Sequence, residues 1–164
     1  MEHMTTIREA RDDDYPVVAT LLTDAGLPLE DVREHFGNFL IAERDGTIAG
    51  AVGLEQYGTE GLFRSLVVHP GSRKDGTGTK LTSAMISKAQ AMGIHRLFLL
   101  TTSAAEFFAR RGFTVIERCS VKGDVSASHQ FTSCCCNSAV TMMMEMAKAV
   151  DRIPVTGNRP TVSG

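Results

Sequence analysis

A glycine-rich, basic stretch follows an apolar run near the middle of the chain, and its residue types suit the binding of an anion. Its glycines are at positions 71, 76 and 78, and its basic residues are at 73, 74 and 80. Glycine lets backbone N–H groups approach a ligand closely, and the start of a helix leaves several N–H groups without partners. Because the apolar run reads as a strand and "TKLTSAM" as a helix, we expect a phosphate-binding loop between them.

Two common nucleotide-binding patterns fail in this loop. Gly71 and Gly76 have the spacing of a P-loop, but Thr77 occupies the position where that motif requires a lysine. A dinucleotide fingerprint that begins at Gly76 would have Leu81 as its third glycine, and no acidic residue near position 98 could hold a ribose. Neither pattern explains the stretch.

A third pattern, [Q/R]-x-x-G-x-[G/A], fits the six residues "RKDGTG" from Arg73 to Gly78. This motif resembles the pyrophosphate loop of the Gcn5-related N-acetyltransferases (GNAT). The resemblance implies that backbone N–H groups surround the pyrophosphate of acetyl-CoA and that the preceding strand end hydrogen-bonds the pantetheine arm. The residues implied in binding acetyl-CoA are Leu66, Val67, Val68, Arg73, Lys74, Asp75, Gly76, Thr77, Gly78, Thr79 and Phe107.

Other segments extend the resemblance from Ile7 to Arg118 and beyond. "AAEFFARRGF" is similar to the GNAT signature A-x-x-F-[YF]-x-[KR]-x-G-F. "LFRSLVVHP", "RLFLLTTSAAEFFARRGF" and a later F-x-x-x-C-x-x-S-A that starts at Phe131 are similar to the arsenic-resistance N-acetyltransferases, the ArsN group. They also resemble, more distantly, the acetyltransferase domain of N-acetylglutamate synthase. Cys136 departs from the ArsN pattern, which tends to have proline there.

The resemblance implies an enzyme that moves an acetyl group from acetyl-CoA to the amine of a small amino-acid-like substrate. An arsenic- or phosphorus-containing glutamate analogue, and hence detoxification, falls within this class. Phe108 stands where many GNAT enzymes have tyrosine, and a phenyl ring cannot protonate a leaving thiolate. Hydroxyl groups at Thr101, Thr102 and Ser103 can orient a water or the sulfur, or they can cap the following helix.

Charged residues beside the apolar strand "GLFRSLVV" suggest a base and an anion-recognition group. Leu62 fills the position that often holds a glutamate, so we expect Glu60, with Glu55 as the alternative, to act as a base through water. Arg64 shares a strand face with Leu62, and a charge in so apolar a strand needs a partner. That partner is either an anionic group of the substrate or a salt bridge, for instance to Glu55.

The elements that position these residues follow from hydrophobic periodicity, and they predict an α/β (α+β) GNAT fold with a mixed central sheet of about six to seven strands and about four helices. Strands are predicted at "TTIREAR", in a hairpin across "NFLIAERDGTIAGAVGLEQYG", and at "GLFRSLVV", "IHRLFLLT", "FTVIER" and "SAVTMMMEMAK". Helices are predicted at "YPVVATLLTDAG", "LEDVREHFG", "TKLTSAMISKAQAMG" and "SAAEFFARRG". We expect one domain over residues 1–150 and a mobile tail over 151–164.

Composition narrows the possible partners. Of the 164 residues, 43% are apolar and 22% are charged, and the formal net charge is −2, which argues against a protein that coats nucleic acid or an anionic membrane. The start "MEHMTTIREA" lacks the basic and apolar regions of a signal peptide, so we expect a cytoplasmic protein. The cysteine spacing fits neither a disulfide framework nor a zinc site, and we expect no metal.

Three alternatives to small-molecule acetylation remain open at this stage. A coenzyme-A-binding sensor without turnover is favoured by Phe108 and Leu62, and peptide or protein amines are alternative acceptors. Trivalent arsenic could be bound by the thiolates of Cys134 to Cys136, although neighbouring side chains on a strand point to opposite faces. GNAT proteins are commonly dimeric through the late strand and helix region, so the resemblance also includes a homodimer.

Overall fold

Seven strands form one mixed sheet in the computed structural model, which describes residues 4–73, 75–128 and 139–146. The strands are β1 (Thr5–Glu9), β2 (Leu40–Arg44), β3 (Thr47–Tyr57), β4 (Glu60–Val68), β5 (Arg96–Thr101), β6 (Thr114–Ile116) and β7 (Val140–Glu145). The α-helices are α1 (Tyr15–Asp24), α2 (Thr77–Ala91) and α3 (Ala105–Ala109). Short 3-10 turns occur at Asp12–Asp14, Phe36–Asn38, Pro70–Ser72, Arg118–Ser120 and Asp124–Ala127.

The strand order is β1-β2-β3-β4-β5-β7-β6, and β4 and β5 are its parallel pair, whereas the other neighbours are antiparallel. This arrangement confirms the predicted mixed sheet of six to seven strands. No helix in the described part of the chain is both long and apolar enough to span a membrane.

The helix predicted at "LEDVREHFG" is wrong, because this segment forms turns and the short 3-10 turn Phe36–Asn38. Asp31 has a left-handed backbone with φ 67°, which an α-helix does not accommodate. Val32 and Phe36 are nevertheless buried, at 0% and 5% exposure. Their spacing of four residues reflects packing onto the sheet and not a continuous helix.

Strands β4 and β5 diverge soon after they begin. Their pairing extends only from Glu60–Leu62 to Arg96–Phe98. On its other side, β4 pairs with β3 through a bulge, in which Val52 lies opposite both Ser65 and Leu66. Ser65 adopts a left-handed φ of 61°, an unusual conformation for a residue other than glycine. The bulge and the divergence together open a gap in the middle of the sheet.

Apolar side chains fill both faces of the sheet. One cluster packs β2 to β5 and β7 against α2 and α3, and its largest members include Phe63, Leu81 and Phe113. A second cluster joins α1 and the turns after it to β2, β3 and the end of β4. A third, smaller cluster contains Leu62, Phe98, Val121 and Val125. The end of β4 therefore contributes to the core on both faces.

An ion pair anchors the start of α1 to β1. Arg8 donates to both carboxylate oxygens of Asp14, at 2.8 and 3.0 Å, and the backbone N–H of Arg11 donates to Asp14 at 2.7 Å. Asp14 is 7% exposed. The hydrogen bonds from Arg8, more than that from Arg11, hold the pKa of Asp14 below its ordinary value, although burial opposes them.

Replacing Asp14 with asparagine should lower the free energy of unfolding by about 1–3 kcal/mol at neutral pH, because it removes charge-assisted hydrogen bonds. A carboxyl whose pKa is depressed by folding stabilises the protein above its unfolded pKa, near 3.9, and that stability is lost as the pH falls toward the folded pKa. Denaturant unfolding of both proteins at neutral and acid pH tests this. A stability difference that does not shrink below about pH 4 would contradict the assignment.

Gly53 lies directly beneath the ring of Phe39, and a Cβ at this position would be 2.3 Å from the ring. Gly53→Ala should therefore cost about 1–3 kcal/mol of unfolding free energy by overpacking. Gly37→Ala is the matched control, because a Cβ there meets nothing within 4 Å. Thermal unfolding of the two variants should show a large loss for the first and little change for the second.

Candidate active site

The loop after β4 leads into the start of α2 and forms one wall of a cleft. Gly76 precedes the helix with a left-handed φ of 77°, and the first N–H groups of α2 have no partners within the helix. The cleft has a volume of about 670 Å³. It is lined by Leu66, Val68, Arg73, Gly76, Gly78, Thr79, Ser103, Ala104, Glu106, Phe107 and Arg110.

Seven of the residues predicted to bind acetyl-CoA line this cleft. The side chains of the other predicted residues are not part of its described lining. The side chain of Val67 packs in the second apolar cluster, which contains the buried residues of α1 and is called the α1-side cluster below. Thr77 is fully buried, and Asp75 is ion-paired with Arg44 of β2. Lys74 lies outside the described residues. A role for Val67, Asp75 or Thr77 in binding a ligand of this cleft would therefore depend on the backbone.

Arg111 joins the two helices that border the cleft, and no residue pattern in the sequence indicates this contact. Its guanidinium stacks on the Phe107 ring at 3.6 Å, which is a cation–π contact. The same group donates to the Phe107 carbonyl at 2.7 Å and to Thr79 Oγ1 at 2.5 Å. Arg111 thus fixes the Phe107 wall of the cleft relative to the start of α2.

A second cavity of about 400 Å³ occupies the gap between β4 and β5. Its walls are the loop after α1, the bulged part of β4, the end of β5, the start of α3 and the residue before β7. The lining residues are Gly26, Leu27, Pro28, Phe63, Arg64, Ser65, Leu66, Leu99, Leu100, Thr101, Thr102, Ser103, Ala104, Phe108 and Ala139. It shares Leu66, Ser103 and Ala104 with the first cleft, so the two spaces meet at the end of β4.

The turn between β5 and α3 brings the three predicted hydroxyl residues to this meeting point. Thr101 Oγ1 accepts hydrogen bonds from the backbone N–H of Ala104 at 3.0 Å and of Ser103 at 3.4 Å. Of the three residues predicted to orient a group or to cap the helix, Thr101 therefore stabilises the turn that leads into α3. The side chains of Thr102 and Ser103 are exposed and line the second cavity.

Arg64 is the ionisable residue among the described lining of the second cavity. It is 3% exposed and forms a salt bridge of 2.5 Å with Glu55, which is 0% exposed. Its Nε donates to Ser65 Oγ at 2.9 Å, and one of its terminal nitrogens donates to the carbonyl of Pro28 at 3.3 Å. Three of the five guanidinium N–H groups are thus engaged within the described chain.

Glu55 also has partners other than Arg64. The hydroxyl of Tyr57 donates to one Glu55 oxygen, and His35 Nε2 lies 3.8 Å from the same oxygen. Burial raises the pKa of Tyr57 well above its ordinary value, and the bond to Glu55 raises it further, so Tyr57 stays a neutral donor. Of the two partners predicted for Arg64, the structure shows the salt bridge to Glu55. Arg64 also lines the second cavity, so an anionic group of a substrate stays a predicted second partner.

Comparison with known proteins identifies the family. Residues 35–115 match the family model described as "Acetyltransferase (GNAT) domain". The amino-acid acetyltransferase of Neisseria meningitidis serogroup A is 36% identical over 121 residues, which cover 68% of this chain and 28% of that protein. The chain belongs to the GNAT acetyltransferases. It spans less than a third of the length of the amino-acid acetyltransferases it matches.

Solved structures agree with this assignment to the GNAT family. N-acetylglutamate synthase from Neisseria gonorrhoeae, complexed with coenzyme A and N-acetyl-glutamate, has a TM-score of 0.77 at 28% identity, over 90% of this chain and 36% of that one. Rv2747 from Mycobacterium tuberculosis, in complex with CoA, has a TM-score of 0.75 at 24% identity, over 87% and 99% of the two chains. The GNAT fold and the resemblance to N-acetylglutamate synthase are confirmed.

Glu60, the predicted base, lies at the other end of β4 in this GNAT sheet. Leu66 is six residues further along the strand, which corresponds to about 20 Å. Glu60 is 3.5 Å from Arg96 and lines a separate pocket with Thr59 and Glu145. The structure therefore does not bring Glu60 together with the other predicted site residues.

The predicted cysteine site cannot be compared with the fold, because Cys134 to Cys136 lie outside the described residues, as do Phe131 and Ser138. Cys119 is described, and it is a free, exposed thiol. Within residues 4–73, 75–128 and 139–146, no group of three histidine, cysteine or acidic side chains is arranged to hold a metal.

Thr101→Val should lower the free energy of unfolding by about 1 kcal/mol, because it removes the oxygen that accepts from Ala104 and Ser103 before α3. Thr102→Val is the matched control, since it makes the same change at an exposed position of the same turn. Urea unfolding of both variants measures the difference. Equal stabilities would show that the Thr101 hydroxyl does not support the turn.

Proposed function

We propose that the chain is an acetyl-CoA-dependent N-acetyltransferase that acts on the amine of a small amino-acid-like substrate with an acidic group. The observation that carries the proposal is the junction of two cavities at Leu66, Ser103 and Ala104, with a glycine-rich helix start on one side and the buried Arg64 on the other. Transfer between two bound molecules requires such a junction, because the reacting atoms must come within about 3–3.5 Å of each other.

The first cleft suits the donor. Free N–H groups and the positive end of the 15-residue helix α2 favour a pyrophosphate, and Gly76 and Gly78 let it approach the backbone. A Cβ at Gly78 would lie 3.6 Å from Val68 and 3.7 Å from Phe107, so Gly78 and these two side chains line the same part of the cleft. The pantetheine arm would lie there, along the end of β4.

The described residues around the two cavities would polarise the thioester and orient the reactants more than they would act as acids or bases. Acetyl-CoA would supply the thioester, whose C–S bond breaks as the amine nitrogen bonds to the acyl carbon. Backbone N–H groups at the end of β4 would donate to the carbonyl oxygen as its charge develops. Among the described lining residues of the second cavity there is no carboxylate or imidazole, so solvent would take the proton of the acceptor ammonium. The thiolate of coenzyme A would leave and take up, through solvent, the second proton that the nitrogen releases as the amide forms.

The second cavity suits an acceptor with an anionic group. Arg64 carries the positive charge of its described lining, and the rest is mainly apolar or hydroxyl-bearing. An acid on the acceptor would meet the guanidinium N–H groups that Glu55, Ser65 and Pro28 leave unengaged. Amino acids with a carboxylate, and arsenic- or phosphorus-containing glutamate analogues, share this chemistry.

A coenzyme-A-binding sensor is the second candidate, and one observation favours it. Phe108, at the position where many GNAT enzymes have tyrosine, is 5% exposed and packs edge-on against Phe63 and Phe113. This position therefore offers no proton to a departing thiolate. A sensor needs the donor cleft but no turnover.

Incubation with acetyl-CoA and a panel of amino acids, glutamate analogues, polyamines and peptides should yield an acetylated acidic amino acid or analogue, detected by mass spectrometry. Thiol-reactive dyes are unsuitable, because the four cysteines of the chain would react as well. Binding of coenzyme A without acetylation of any amine in the panel would favour the sensor. Exclusive acetylation of peptides would contradict the small-molecule acceptor.

Gly78→Val should weaken coenzyme A binding more than tenfold, about 1.4 kcal/mol or more, because the isopropyl group would occupy the part of the cleft beside Val68 and Phe107. The fold should persist, since the nearest atoms to a Cβ at Gly78 are at ordinary contact distance. Gly37→Val adds the same group in open space and should bind coenzyme A normally. Isothermal titration calorimetry measures both, and equal affinities would place the donor elsewhere.

A further inference from the structure

We infer that Glu55 is a specificity-determining residue of the acceptor cavity: it offsets the charge of Arg64, so that the site takes an acceptor acid with one negative charge and disfavours a dianion. The inference rests on the proposed function, because it assumes that the acceptor meets Arg64. It assigns to a fully buried carboxylate a task other than base catalysis.

Glu55 lies beside Arg64 and outside the lining of the cavity. Its side chain is 0% exposed and is 2.5 Å from the Arg64 guanidinium, while its second oxygen accepts from Tyr57. Glu55 therefore cannot touch the acceptor directly and acts on it through Arg64. The charge of the pair as a unit is zero before the acceptor binds.

Glu55 is not the only residue that holds Arg64 in place. Ser65 accepts from Nε, and the carbonyl of Pro28 accepts from a terminal nitrogen, so two further hydrogen bonds fix the plane of the guanidinium. The bulge at Ser65 brings that hydroxyl next to Arg64. Because Ser65 and Pro28 also orient the guanidinium of Arg64, the contribution specific to Glu55 is its negative charge.

The charge has a predictable effect on acceptors. A monoanion on Arg64 brings the net charge of the Arg64–Glu55 pair and its ligand from zero to −1, whereas a dianion brings it to −2, beside side chains that are 3% and 0% exposed. Repulsion between Glu55 and each added charge is strong at the low effective dielectric of a buried site, and it grows with the acceptor charge. Without Glu55, Arg64 would instead favour the more highly charged ligand.

The test compares three probes that differ in one group: L-glutamine, L-glutamate and L-2-amino-4-phosphonobutanoate, assayed at a pH where the phosphonate is a dianion. The measured quantity is kcat/KM for each probe at saturating acetyl-CoA. In Glu55→Gln, the phosphonate-to-glutamate ratio should rise about tenfold. The amide oxygen preserves a hydrogen bond to Arg64, and KM for acetyl-CoA should not change.

Tyr57→Phe provides a second variant with the opposite sign, in case the first does not fold. Removing the Tyr57 hydroxyl takes away a donor that offsets the charge of Glu55. The phosphonate-to-glutamate ratio should therefore fall about two- to threefold. A purely structural role for these residues would lower all three kcat/KM values together and would leave the ratios unchanged.

Glu43→Gln is the matched control, because Glu43 also belongs to a strand-to-strand pair with an arginine, 3.5 Å from Arg8, and is outside both cavities. Its ratios should equal those of the wild type. If the wild type acetylates the probes but the ratios do not move in opposite directions in the two variants, the inference on Glu55 is wrong. If the wild type neither binds nor acetylates any probe, the proposed function fails as well.

Discussion

Strands β4 and β5 exchange backbone hydrogen bonds only where they begin, from Glu60–Leu62 to Arg96–Phe98. Beyond that point the facing N–H and C=O groups need partners other than each other, since buried backbone groups are rarely left unpaired. A ligand that lies in the gap can supply those partners. The second cavity lies in this gap, and it meets the first cleft, between the loop, the start of α2 and α3, at the end of β4.

The buried pair of Arg64 and Glu55 has two roles in the gap: it holds neighbouring segments together, and it places a charged group at the second cavity. Burying one ion alone would be costly, and the partners of Arg64 and Glu55 reduce that cost. The pair also connects the sheet to the loop after α1, because Pro28 accepts from Arg64. The contacts of Arg64 with Glu55, Ser65 and Pro28 therefore lower the cost of burying its charge and also position the wall of the second cavity.

Local patterns predicted the strands and the glycine-rich loop, because alternation, turn residues and motif spacing are properties of adjacent residues. Local patterns gave the wrong element where contacts between residues far apart in the sequence determine the conformation. Val32 and Phe36 have helical spacing, but packing onto the sheet and the left-handed Asp31 replace the helix with turns.

Within the candidate site the same limit applies. The pairing of Arg64 with Glu55 was one of two alternatives, because neighbouring strands of a hairpin make it plausible. The clamp formed by Arg111 joins α3 to α2 across 32 residues, and nothing in the spacing indicates it. Glu60 is two residues before Leu62, so alternation predicts that they share a strand face, but distance along the strand separates Glu60 from the two cavities of the candidate site.

The bulge at Ser65 reverses the alternation of β4. Phe63 packs on the α2 side of the sheet, and after the bulge Val67 lies in the α1-side cluster while Leu66 and Val68 return to the α2 side. A strand without the extra residue would turn Val67 and Val68 to the wrong faces, since a slip of one residue inverts every side chain. Evolution can therefore exchange residues in this strand far more readily than it can add or delete one, and homologues should preserve its length even where its sequence has drifted.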